Sequence, residues 1–165
     1  MSFTLRPAGP EDAETLAETL QIGFDGYRGF APPGWLPPDA RSKTEVARVR
    51  ARLLEPTTWA MLAEEGGLVA GHAGYMPQPG APDSAHLWQL FVRPQWWGKG
   101  VAAALITAAR EAAAAEGYGR MRCFTPRDQS RARAFYEREG FVFTGWEALE
   151  ETLGLVLVEY RREPL

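Results

Sequence analysis

Residues Leu87 to Ala115 constrain this chain more than any other stretch. LWQLFVRP reads as a strand halted at Pro94, and QWWGKGVAAALITAAREAAAA as a glycine loop running into a long helix. The segment Trp97-Gly98-Lys99-Gly100-Val101-Ala102 puts small residues where that helix begins. A helix start carries N–H groups without intrahelical partners and the positive end of the macrodipole, so an anion, above all a phosphate, suits it. Gly100 and Ala102 leave room for a phosphate to reach the backbone. Alone the pattern is not specific, because any strand–loop–helix connection can carry a glycine pair. It is not a P-loop, since Lys99 lies between the glycines and no GK[ST] follows. Nor is it a dinucleotide fingerprint, because Ala103 stands where the third glycine belongs.

A second motif lies some thirty residues on: Ala132-Arg133-Ala134-Phe135-Tyr136-Glu137-Arg138-Glu139-Gly140-Phe141. Together, in this order and spacing, the two resemble the signatures of the GNAT N-acetyltransferase superfamily, [Gln/Arg]-x-x-Gly-x-[Gly/Ala] followed by A-x-x-F-Y-x-x-x-G-F. Two departures stand out. Trp97 replaces the usual Gln or Arg, and Gln129 replaces an Asn common ahead of the second motif.

Composition bounds the partners. At 165 residues the chain is expected to form one domain over 1–165, with an ordinary balance of 45% hydrophobic and 24% charged residues. A net charge of −3 gives no footprint for nucleic acid. The first residues, MSFTLRP, hold no apolar signal segment, and no run approaches the ~20 apolar residues of a membrane span. Cys123 is the single cysteine, which fits a reducing cytosol, so a cytoplasmic protein that avoids membranes is expected. Two histidines and one cysteine, widely spaced, imply no metal site.

In order, Phe3–Arg6 reads as a strand, and Pro10 with Glu11 and Asp12 opens a helix whose end Gly23 and Gly26 loosen. Tyr27 to Asp39 is irregular. Ser42-Lys43-Thr44-Glu45 is a capping box opening a helix to Leu54 that buries Val46, Val49 and Leu53. Trp59–Glu64 and Leu68–Met76 form a hairpin about Glu65-Gly66-Gly67. After a proline-rich turn come the strand Ala85–Val92 and the alanine-rich helix, with Val101, Leu105, Ala108 and Ala112 at core spacing and Gly117 as its stop. Met121–Thr125, a helix Ser130–Glu139, Phe141–Phe143 and a central Leu155–Tyr160 complete a mixed α/β layer of about seven strands and four helices.

The resemblance implies acetyl-CoA as donor and a primary amine, on a small molecule or peptide, as acceptor. It implies a GNAT-like acyl-CoA fold whose strands Ala85–Val92 and Met121–Thr125 splay to admit the pantetheine arm. Cofactor contacts would then come from Leu90, Phe91, Val92, Trp97, Gly98, Lys99, Gly100, Val101, Ala102, Ala103 and Gln129. A main-chain N–H at Leu90 or Phe91, next to a bulge, would hold the oxyanion. Tyr136 takes the role of acid toward the departing thiolate, although a Phe-Tyr pair also serves to fill a core. His86 aligns where some members carry a catalytic glutamate; an imidazole suits the base, as does a water chain. The family's acceptor wall corresponds to Asp25, Tyr27, Phe30 and Trp35, an apolar pocket with an acid for the ammonium. His72, between small residues, reads as structural, Phe135 as core, and Glu64 and Glu65 as solvated. Arg127, Arg131 and Arg133 also read as solvated, with one in reach of a 3′-phosphate. A silent acetyl-CoA sensor is the alternative function. A homodimer is left open, supported only by aromatics near Trp96 and Trp146.

Overall fold

The computed structural model describes residues 2–165. Seven strands form one sheet: β1 (Thr4–Pro7), β2 (Trp59–Glu65), β3 (Leu68–Gln78), β4 (Ala81–Val92), β5 (Arg120–Pro126), β6 (Val142–Glu150) and β7 (Leu155–Arg162). Their order is β1-β2-β3-β4-β5-β7-β6. Four helices cover it: α1 (Ala13–Gly26), α2 (Lys43–Leu54), α3 (Val101–Ala115) and α4 (Ser130–Arg138). The mixed α/β layer and its element count are therefore as expected. Among the described residues no helix is long and apolar enough to cross a membrane.

Local chemistry explains the elements. Gly66 and Gly67 take φ of +57° and +79°, the left-handed pair that a two-residue hairpin turn requires between β2 and β3. The Ser42 hydroxyl accepts from the Glu45 N–H at 3.2 Å and starts α2. At the other end of α3, Gly117 at φ +97° lets its own N–H reach the Ala114 carbonyl and the Tyr118 N–H reach that of Ala113, closing the helix.

Several features differ from the sequence reading, beginning with β3 and β4, which run on through Pro77 and Pro82 of the expected proline-rich turn. α3 fully buries Leu105, Ile106, Ala109 and Ala113, while Ala112 packs on the same core only partly buried and Ala108 is half-buried, because a helix this rich in alanine shows little contrast between its faces. β6 runs on to Glu150 as a largely exposed edge strand, its polar residues masking the pattern. Gly23 does not loosen α1: any side chain there would strike the Phe91 ring, so it is the contact that seats the helix on β4. Glu64 pairs with Arg6, and Glu65 accepts from the Trp96 indole at 3.1 Å, so neither is simply solvated.

The central fact of the sheet is a parting. β4 and β5 pair in parallel only at Ser84↔Arg120, Ala85↔Met121 and His86↔Arg122. Beyond His86 the strands separate, while β4 stays bonded to β3 as far as Val92. Gln89 faces Gly74 and Leu87 faces Tyr75, so Trp88 is the extra residue of a bulge. β7 lies between β5 and β6, inside the sheet as expected.

The β3–β4 seam allows a direct test. A methyl group on Gly71 would meet the Phe91 carbonyl oxygen and the Val92 backbone, whereas Gly29 has open space around it. Gly71→Ala is expected to cost roughly 1–3 kcal/mol, with a melting temperature lower by about 2–4 °C per kcal/mol. Gly29→Ala should melt with the parent, and thermal denaturation followed by circular dichroism compares the two.

Candidate active site

The parted strands enclose a groove of about 500 Å³. Leu87 to Val92 of β4 form one side, Phe124 and Thr125 of β5 the other; the start of α3, α4, and Gly23, Gly26 and Tyr27 of the α1 end close it. The exposed main chain of β4 can be assigned by alternation. Arg93 N–H bonds to the Ala70 carbonyl at 2.8 Å, toward β3, and the Phe91 carbonyl also faces β3 at Gly71. Successive residues of a strand direct their N–H and C=O to opposite edges, so Leu90 and Val92 present theirs to the gap.

At the mouth, Gly98 and Gly100 adopt φ of +76° and +83°, positions where a side chain would strain the backbone. The first intrahelical bond of α3 runs from Ala104 N–H to Gly100 O at 3.0 Å, leaving Val101, Ala102 and Ala103 N–H without intrahelical acceptors. Trp97, Gly98, Gly100 and these three residues line the groove; Lys99 does not. Trp97 donates its indole N–H to the Val92 carbonyl at 2.8 Å, and the Arg131 guanidinium lies 3.8 Å over its ring. Arg131 thus stands at the groove on an aromatic platform rather than free in solvent. Arg133 is not free either: it donates to the Tyr160 hydroxyl at 2.9 Å and to the Arg127 carbonyl at 3.0 Å. Trp96 is buried, so it supplies no exposed aromatic surface.

Tyr136 reaches the groove from α4 and is 6% exposed. Burial first, then the neighbouring Cys123 and Tyr27, push its phenol well above the ordinary range, so it keeps its proton at neutral pH. Burial likewise pushes the Cys123 thiol up. Phe135 packs on the core but also lines the groove, more than the core role expected of it. Gln129 lines it as well, accepting from the Thr125 hydroxyl at 3.3 Å.

His86 stands apart from the groove it was expected to serve, while His72 is buried, in keeping with its structural reading. His86 lies outside the groove lining; its Nδ1 accepts from Arg122 Nε at 3.1 Å and its ring packs near Phe124. Desolvation, then the charges of Arg122 and Arg52, lower its pKa to about 4. His72 is sealed under α1, with Nε2 2.7 Å from Gln89 Oε1 and Nδ1 unpartnered. Desolvation takes it to about 4 too, against the pull of its bond to Gln89.

At the α1 end, Tyr27 lines the groove and carries Phe30 and Trp35 behind it, at ring separations of 5.3 and 6.4 Å. Asp25 is exposed and takes a bond from Gln21, outside the lining. No carboxylate lines the groove; its charged groups are Arg131 and Arg138. Sequence reasoning missed Trp88, Gln89, Phe124 and Arg138 as lining residues. A period-two reading of β4 splits Trp88 and Gln89 between faces; only the bulge reunites them.

The profile of the Acetyltransferase (GNAT) family matches residues 24–141. The chain belongs to the GNAT acetyltransferase family. A Mus musculus protein named probable N-acetyltransferase family 8 member 5 is 33% identical over 106 residues, 62% of this chain and 47% of that protein. The chain thus aligns with about half the length of that curated relative. Among solved structures, the PaiA N-acetyltransferase of Thermoplasma acidophilum in complex with coenzyme A superposes with a TM-score of 0.79 at 19% identity, over 99% of each chain. The yncA protein of Salmonella typhimurium, solved with acetyl-CoA, gives 0.74 at 18% identity, over 99% of this chain and 94% of that one. At such identities the likeness is one of fold.

The two low histidines predict a pH dependence of stability. Between about pH 4 and 6.5 the unfolded chain binds protons that the folded chain refuses. Stability is therefore full above pH 6.5 and falls on acidification toward 4, by roughly 2–4 kcal/mol for the sealed His72. Urea unfolding at stepped pH should show this slope, and His72→Phe should flatten it.

Proposed function

We propose that this chain transfers an acetyl group from acetyl-CoA to a primary amine held in the groove. The observation that carries this reading is a single cleft in which the anion-seeking start of α3 and the buried, protonated phenol of Tyr136 stand along the same parted strands. Family membership and relatives solved with coenzyme A or acetyl-CoA support it.

The residues fit the cosubstrate. Gly98 and Gly100 open the backbone, the N–H groups of Val101, Ala102 and Ala103 receive the diphosphate, and Arg131 on Trp97 adds the cation that Trp97 itself lacks. Leu90 and Val92 offer main-chain groups to the pantetheine arm, as added strands do. Of the two oxyanion donors expected, Leu90 is the better, since its N–H faces the gap while that of Phe91 serves β3.

In the reaction the amine nitrogen forms a bond to the thioester carbonyl carbon, and the carbon–sulfur bond breaks. Sulfur leaves with its electron pair and takes the Tyr136 hydroxyl proton, which solvent later replaces. The proton lost by nitrogen goes to water. His86 is displaced from that role by its bond to Arg122 and its weak basicity.

A thiol-release assay across an amine panel, with calorimetry of acetyl-CoA, tests the whole reading; tight binding with no turnover on any amine would instead mark a sensor. Tyr136→Phe is expected to lower kcat by about 10²-fold or more while acetyl-CoA still binds. Arg131→Gln is expected to weaken coenzyme A binding by roughly tenfold at low salt, a difference that shrinks as salt rises.

A further inference from the structure

On the side of the sheet beneath α1, Gln89 and His72 form a polar pair with no part in the reaction described above. Gln89 is 8% exposed and His72 is 1% exposed. The pair is joined at 2.7 Å through Gln89 Oε1. An amide oxygen has no hydrogen to give, so His72 Nε2 is the donor and the unpartnered Nδ1 carries the lone pair. In this tautomer the imidazole holds the amide oxygen and leaves the amide nitrogen turned away from it. Among the described residues Gln89 Nε2 has no protein partner, and it is not among the sealed unpartnered atoms, so its N–H donors open to the groove that Gln89 lines. The bulge at Trp88 is what brings Gln89 to this side beside Trp88. Around it the lining is apolar and aromatic, with Tyr27, Phe91 and Phe124, and no carboxylate is present to hold a cation.

We infer that Gln89, oriented by His72, selects the acceptor: its amide N–H donates to a carbonyl or carboxylate oxygen three bonds from the attacking amine nitrogen, on a molecule with an apolar body. This rests on the acetyl-transfer reading and sharpens it. The acceptor class is an α-amino acid or α-amino amide, the latter including a peptide N-terminus. Simple alkylamines and polycations, lacking that oxygen, are disfavoured because binding them leaves the Gln89 donors unpaired in a dry site.

Three acceptors with one apolar body test it: phenylalanine, phenylalaninamide and phenethylamine. Thiol release should give kcat/KM, referred to the neutral form of each amine because the three ionise differently, at least about tenfold higher for one of the first two than for phenethylamine. A free amino acid as acceptor shows as phenylalanine favoured, a peptide-like acceptor as phenylalaninamide favoured. Gln89→Leu should bring the ratio near unity. Gln89→Glu, similar in shape, should favour phenethylamine over phenylalanine by placing a carboxylate where the donor was. Calorimetry of acetyl-CoA on each variant, expected to match the parent, reports that the fold and cofactor site persist. Turnover of all three at equal efficiency, or a parent preference for phenethylamine, overturns the inference and leaves acetyl transfer standing. A ratio unmoved by both substitutions also overturns it. Binding of acetyl-CoA with no turnover of any amine overturns the enzymatic reading, and this inference with it.

Discussion

The rest of the molecule depends on two parallel strands that stop bonding to each other. After three paired positions, β4 and β5 part at His86 and Arg122, and the gap-facing main chain of β4 is left without a strand partner. Unpaired N–H and C=O groups inside a protein are costly, so such an opening persists only where something else satisfies them. Trp97 meets one such demand by donating to the Val92 carbonyl. The remaining edge turns its N–H and C=O groups into the groove.

Holding the strands apart requires packing on both sides. Behind the gap, Ala85, Leu87, Met121, Cys123, Tyr136 and Tyr160 belong to one core that ties β4, β5, α4 and β7 together. On the β2–β3 flank, Ala63, Ala70, Ala73 and Leu105 form a second, and Leu16, Val49 and Leu62 a third beneath α1 and α2. α4 is braced by Arg133, which reaches the Tyr160 hydroxyl, itself donating to Glu137 at 2.7 Å. Across the opening, the loop before α2 is tied to the β6–β7 turn by Trp35, whose indole donates to the Leu153 carbonyl at 2.7 Å.

Much of this architecture is legible in residues 87–141, and the reasons differ from element to element. Glycines at Gly98, Gly100 and Gly117 announce backbone geometry directly, since positive φ is cheap only for them. Tyr136 is legible through motif spacing. The inner face of α3 is not, because alanine gives neither volume nor polarity by which to tell one side from another. Asp25 is one step beyond what sequence can resolve: one turn of helix decides whether a carboxylate lines a pocket or faces water, and here it faces water. Gln89 is hidden for a stronger reason. Strand alternation fixes which side chains share a face only while register is regular, and a bulge one residue away changes that face without leaving a mark in composition.

The electrostatics of the groove complete the picture. Its lining carries arginines at the α4 side and no carboxylate, while both histidines are held neutral across the physiological range. On the proposed acetyl-transfer reading, a protonated amine gains nothing there, and arrives more readily after shedding its proton to water, the form in which nitrogen can attack. Selectivity must then come from directional hydrogen bonds instead of charge, and such bonds discriminate best where water is excluded. A glutamine whose oxygen is turned to a buried imidazole meets that requirement: its amide nitrogen is left to donate, and it cannot ionise. Its donor is constant over pH, so recognition would persist while the amine's own protonation sets the rate.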